Sequence, residues 1–291
     1  MRKLTAVILI FISALAFGQE KTGISGSVEW DLMCVNARVS LDLTSAGLKL
    51  PAGRTQAEAL LSSAYFDLIQ SSLLGLQVDS SSTIADLIER GELNYADLIS
   101  FSQTAASVAP SLSSDMRSIT SSHYIPLANI SSSLLYHNRP ASVSRTLSSV
   151  SAPQYTGIII IAVDSLPVHG MRGTALPVPC LFPKIWDSEM NLIYDRSMFD
   201  YRSVSSPMVR YSSIVNIFMN NPSGLSDELK EIVGERPLRI FARGVFGVNP
   251  TDLIIDRNDA LLIISSEENR RLLTQGKVVF ILDESVLRYD F

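Results

Sequence analysis

Three observations predict an α+β fold of two units. Apolar residues alternate over 27–43, as in a strand with one wet face. A continuous β-branched run at 158–163 reads as a strand buried on both faces, and 277–283 reads as a further strand. Each half also carries a capped, periodic apolar stripe, the mark of a helix that covers a sheet. Each unit is therefore expected to be an antiparallel or mixed β-sheet packed with one main amphipathic helix. The expected order is a signal peptide (1–18), an N-terminal α+β domain (19–137), a linker (138–154) and a C-terminal α+β domain (155–291).

The leader comes first. Arg2 and Lys3 precede an apolar stretch over 4–17, and Ala14-Leu15-Ala16 and Ala16-Phe17-Gly18 are small-residue cleavage sites. Cleavage after Gly18 is expected, because the run is short for a membrane anchor. That address implies the periplasm of a diderm bacterium, with association to the outer membrane compatible. Beyond the leader no apolar run reaches the roughly 18–20 residues of a spanning helix. The 291 residues are 46% hydrophobic and 18% charged, which excludes a mainly disordered chain. A net charge of -5 with 24 scattered basic residues argues against nucleic acid, which needs a concentrated positive face.

In the first half, Val35, Ala37, Val39, Leu41 and Leu43 share one strand face. Thr55 and Glu58 have the spacing of a capping box, and Ala57, Leu60, Leu61, Ala64, Leu68 and Ile69 continue as a stripe that Gly75 would close. Thr83 to Asp86 opens a second, short helix that Gly91 stops, and a third is expected over 95–104. The Ser-rich stretch 116–136 is expected to form long strands with serine on the solvated side. Pro140 and Pro153 mark the linker. In the second half, a loop over 166–179 leads to a hairpin of 181–187 and 191–194. Ser226 caps a short helix ending at Gly234. Strands follow at 238–245 and 252–256, then a helix over 260–275, capped by Asn258 or Asp259 and stopped by Gly276.

Residues able to carry chemistry are present but not arranged in a known motif. His123, His137 and His169 have no second ligand at metal spacing. No Gly-x-Ser-x-Gly, Ser-x-x-Lys or phosphate-loop pattern occurs. The pairs Asp187/Glu189, Asp195/Asp200, Asp256/Asp259 and Glu267/Glu268 read as caps and surface pairs, the last with Arg270 and Arg271 on a helix. Cys34 and Cys180 read as separate free thiols in apolar settings, although an exported pair permits a disulfide. The closing Leu287-Arg288-Tyr289-Asp290-Phe291 has the alternation of an outer-membrane barrel terminus, but the helices oppose a barrel and an ordinary strand is expected. No catalytic, cofactor-binding or metal-binding residue is assigned, and no cofactor is expected.

Certain phrases carry a resemblance. They include Leu50-Pro51-Ala52-Gly53-Arg54-Thr55-Gln56-Ala57-Glu58, Pro179-Cys180-Leu181-Phe182-Pro183-Lys184-Ile185-Trp186-Asp187 and Asn249-Pro250-Thr251-Asp252-Leu253-Ile254-Ile255-Asp256. Together they resemble exported proteins of spirochaetes and related bacteria and, more distantly, the FlgP- and FlgT-type envelope proteins of flagellar assembly. FlgP-type members are lipoproteins, and this chain has no cysteine at its cleavage site. The resemblance implies a non-enzymatic periplasmic or cell-envelope protein that contacts envelope or flagellar proteins or itself. The alternatives are an exported hydrolase, with His169 near Asp164 and Asp187, and a periplasmic ligand- or peptidoglycan-binding module between the halves.

Overall fold

The first two strands, β1 (Thr22–Glu29) and β2 (Cys34–Asp42), form an antiparallel hairpin. This computed structural model describes residues 22–103, 105–143, 150–202, 206–219, 221 and 223–291, apart from the side chains of 66–68. The expected leader (1–18) lies outside the described residues, as do 144–149 of the expected linker. Within that linker, 138–143 and 150–154 carry neither helix nor strand. Val35, Ala37, Val39 and Leu41 are buried and their neighbours are not, as alternation requires.

Helix α1 (Gly53–Leu74) packs across that buried face. Its buried line is Ala57, Leu61, Tyr65, Ile69 and Leu73, a strict i, i+4 row, while Leu60 is exposed. The expected Thr55–Glu58 capping box does not form. The helix starts three residues earlier, Ala52 offers no capping side chain, and Glu58 pairs with Arg54 at 2.9 Å. Gly75 ends the helix at a right-handed φ of -77°, so it is not the left-handed cap expected.

β3 (Gln77–Asp79) and β4 (Ser82–Thr83) make a tight hairpin. The box at Thr83 does form: Asp86 Oδ2 accepts from Thr83 N at 2.7 Å, and α2 (Ile84–Glu89) follows. Gly91, at φ 70°, lets the chain turn away. After α3 (Tyr95–Gln103), β5 (Ala106–Leu112) and β6 (Ser118–Pro126) return to the sheet. The strand expected through 136 stops at Pro126, and α4 (Leu127–Ser133) takes over. Leu127, Ile130 and Leu134 are buried at helical spacing. The hydroxyls of Ser131, Ser132 and Ser133 bond back to carbonyls three residues earlier, which lets serine sit in a helix.

The second unit continues with β7 (Ile158–Ala162), β8 (Leu166–Pro167), β9 (Thr174–Ala175), β10 (Ile185–Asp187), β11 (Leu192–Tyr194) and β12 (Arg210–Ser213). Next come α5 (Asp227–Val233), β13 (Leu238–Phe246), β14 (Asp252–Ile255), α6 (Arg257–Ile264), α7 (Glu267–Thr274), β15 (Val278–Leu282), α8 (Glu284–Leu287) and β16 (Arg288–Asp290). Seven strands align as β11-β10-β14-β13-β7-β15-β12, with β13, β7, β15 and β12 mutually parallel. Every residue of β7 and β15 is buried. Leu225, Leu229 and Val233 cover one face of these strands, and the main core lies on the other.

The helix expected over 260–275 is two helices. Asp256, not Asn258 or Asp259, is the N-cap, accepting from Asn258 N at 2.8 Å. Ser265 and Ser266 then interrupt, and Ser266 caps α7. Serine gains more at a cap than inside a helix, so the break falls there.

β16 leaves the second unit and completes the first sheet, whose order is β16-β1-β2-β6-β5. Phe291 N donates to Gly26 O at 2.9 Å, and Gly26 N returns a bond to Phe291 O at 3.2 Å. A β-carbon at Gly26 would lie 2.8 Å from the Phe291 ring, so the ring occupies the space that glycine leaves. Phe182 N also donates to Val78 O at 2.8 Å, and Trp30 meets Tyr211 edge-on at 5.8 Å. Buried residues of both units belong to one core.

Candidate binding groove

The outward side chains of the first sheet lie in cross-strand rows set by register. Ser25, Arg38 and Ser122 form one row; Asp290, Ser27, Asn36 and Tyr124 form the next; Arg288, Glu29 and Cys34 form a third. Alternate residues share a strand face, so the rows stand about 7 Å apart. A groove of about 520 Å³ runs over these rows, lined by all of them except Cys34, together with Phe291.

Its two ends differ in charge. Glu29 Oε1 accepts from Ser27 Oγ at 2.8 Å and faces Arg288 Nη1 at 3.5 Å, and Arg288 Nε meets Asp290 at 3.2 Å. One guanidinium thus spans two carboxylates. Arg38, exposed on β2, has no ion-pair or hydrogen-bond partner among the described residues. Tyr124 keeps 43% of its surface exposed. Cys34 donates weakly to Asn36 Oδ1 at 3.8 Å, which leaves the Asn36 amide nitrogen free to donate outward. Burial, then Glu29 and Asp31, push the Cys34 thiol up to about 11, so it is protonated at neutral pH and a poor nucleophile. Beneath the groove, His123 stacks on Tyr65 at 3.9 Å and contacts Ser121 Oγ at 2.9 Å through Nε2. Burial lowers its pKa and favours the neutral ring.

The other residues singled out by sequence are dispersed. His137 Nε2 lies 2.8 Å from Phe199 O, and the exposed His169 sits edge-on to Phe246 at 6.0 Å. Asp164 is exposed near the end of β7, whereas Asp187 ends β10, with β14 and β13 between them. Three inter-strand steps of about 4.8 Å put those carboxylates on the order of 14 Å apart. Asp187 accepts from Glu189 N at 2.9 Å and Asn191 N at 2.8 Å, holding its hairpin, and Asp187 and Glu189 converge on Arg257 at 3.3 and 2.5 Å. Asp195 caps the short turn Arg196–Met198, and Glu267 pairs with Arg271 at 2.8 Å on the helix surface, as expected. Burial and the neighbouring Asp256 raise Asp259. Cys34, half-buried at the start of β2, and Cys180, buried in the loop between β9 and β10, are free thiols. Among the described residues no group of three His, Cys, Asp or Glu could hold a metal ion. No described helix is long and apolar enough to cross a membrane.

Sequence reasoning missed the buried Asp252. Its carboxylate accepts from Lys184 N (3.1 Å), Thr251 Oγ1 (3.2 Å), Trp186 Nε1 (3.3 Å) and, from the first unit, Ser80 Oγ (3.1 Å). Burial raises its pKa, and these donors oppose the shift. All four oxygen contacts are structural, so this acid joins the two units.

Residues 21–133 match the family model described as Treponema pallidum Tp0624, N-terminal domain. Residues 157–284 match that described as Treponema pallidum Tp0624, second domain. The chain is a spirochaete-type protein with two domains. The two matches follow the order of the two sheets, and the groove lies on the sheet whose β1, β2, β5 and β6 fall within the first match. No curated protein matches the chain.

Proposed function

We propose that the protein is a non-enzymatic component of the bacterial cell envelope, exported to the periplasm, that acts by contact with envelope partners or copies of itself. Its contact surface is the wet face of the five-stranded sheet. One observation carries this reading. Asp187, Asp195, Asp252 and His137 are engaged by the fold, whereas Arg38 and Tyr124 on the groove are left open. The expected leader, with Arg2 and Lys3 ahead of an apolar stretch over 4–17, supports an envelope setting. A flagellar partner and an outer-membrane association are the finer forms of the reading; the sequence phrases described above are their support.

In-cell crosslinking of the full-length protein, followed by identification of its neighbours, tests the proposal. Envelope proteins or the chain itself are expected among the crosslinked species. A strictly monomeric protein without envelope neighbours would refute it, as would substrate turnover abolished by one side-chain change.

A further inference from the structure

We propose that the groove on the five-stranded sheet binds an acidic saccharide, with the anionic group at Arg38 and a sugar face against Tyr124. The inference rests on the reading of this sheet face as the contact surface, and it names the chemistry of what is bound. A volume of about 520 Å³ is ample for a small ligand. Beside its charged groups and the Tyr124 and Phe291 rings, the lining carries the hydroxyls of Ser25 and Ser122 and the Asn36 amide, so a lipid tail would strip water from these groups without replacing its hydrogen bonds. A ligand rich in hydroxyls replaces them. The exposed Tyr124 ring supplies the apolar plane on which the C–H face of a sugar can rest.

Charge decides the rest. Arg38 is a planar fork without a carboxylate among the described residues, and such a fork holds carboxylate or phosphate in a two-point contact. Arg288 and Glu29 lie two rows away, about 14 Å along the strands, and Asp290 one row away on the edge strand β16; Arg288 is shared by the two carboxylates, a cluster with one surplus negative charge. That end repels an anion and accepts hydroxyl donors. The groove is therefore polarised, and its ligand is oriented with the acidic group toward Arg38. A protein strand would seek a sheet edge rather than this face. A nucleic acid would need many more unpaired cations than one. Because the groups stand on strands, little rearrangement opposes binding.

Titration calorimetry on the full-length protein tests the proposal with three probes: oligogalacturonate for carboxylate, a phosphorylated mannan oligosaccharide for phosphate, and neutral malto-oligosaccharide. At least one acidic probe is expected to bind, more weakly as salt rises, and the two acidic arms identify which anion is preferred. Arg38→Gln should weaken binding about tenfold. Arg38→Lys should recover part of that loss, and Tyr124→Ala should weaken binding several-fold. The exposed Arg236→Gln in the second unit should leave it unchanged. Thermal midpoints equal to wild type show that Arg38→Gln is folded. No binding to either acidic probe, equal affinity for the neutral one, or wild-type affinity in Arg38→Gln would overturn the inference. If envelope crosslinks persist while the saccharides fail, only this inference falls. If a saccharide binds but no envelope neighbour is found, the partner reading falls instead.

Discussion

The two sheets differ in how many faces they bury. In the seven-stranded sheet, β7 and β15 are covered above and below, so each of their side chains contributes to a core. In the five-stranded sheet, β2 buries Val35, Ala37, Val39 and Leu41 under α1 and leaves Asn36, Arg38 and Ser40 to solvent. At β7 and β15 no face is left for recognition, although β13 at their side alternates and leaves Arg239, Phe241 and Arg243 exposed. A strand covered once keeps half its side chains free of packing, and those can be spent on a ligand. The doubly covered strands therefore serve stability, and the wet face of the first sheet is the one proposed above for binding.

The strongest way to break this division is to remove volume from each sheet. Ile160→Ala, at the fully buried centre of β7, should cost about 2–5 kcal/mol in urea unfolding. Ser40→Ala on the wet face should stay within about 0.5 kcal/mol. Comparable losses would erase the distinction.

The junction is next in size. Asp252→Ala leaves Ser80, Lys184 N and Trp186 Nε1 without their acceptor and should cost about 3 kcal/mol. Its pH signature has a definite sign. Burial raises the folded-state pKa of Asp252 above the ordinary 3.8. The folded protein thus takes up this proton before the unfolded chain does, and gains stability as pH falls from the raised value toward 3.8. Wild type should therefore gain on Asp252→Asn as pH drops from neutral toward 4. At Asp79, burial pushes the carboxyl up, but hydrogen bonds from Ser81 and Ser82, with Lys184 nearby, outweigh it and the net pKa is lowered. That group contributes stability above 3.8 that is lost as pH falls through its depressed value, so Asp79→Asn should show the opposite trend. Identical pH profiles for the two variants would contradict these assignments.

A smaller effect sharpens the link between the units. Truncation after Leu287 removes β16 and the paired bonds between Gly26 and Phe291. Amide exchange at Gly26 and neighbouring β1 residues should accelerate, with a loss of about 1–2 kcal/mol, while β7 and β15 amides stay protected. Uniform acceleration would mean that the sheets open together. Smallest is Tyr65→Phe. The buried Tyr65 hydroxyl has no partner among the described residues, so its removal should stabilise by about 1 kcal/mol, read as a higher urea midpoint.

Much of the architecture was legible because it is locally encoded. Alternation marked β2, β-branched runs marked β7 and β15, and Thr83, Ser226 and Gly276 sit at real boundaries. Serine blurred the rest: it occurs on both sides of β6, with Ser121 buried and Ser122 on the wet face, in the interior of α4 and at the cap that divides α6 from α7. The groove was not legible at all. It draws on Ser25, Arg38, Tyr124 and Arg288, brought together by strand register that no local window reveals. Ser80 and Asp252 are likewise joined only by the packing of two units.

The central claim, that the protein works through the wet face of its first sheet, is most directly tested by a photocrosslinking side chain placed in living cells. Position 36 lies in the groove, and position 231 is exposed on α5 of the second unit. The account predicts a crosslinked envelope species from position 36 and none of comparable yield from position 231. The reverse pattern, or equal yields from both positions, would contradict it.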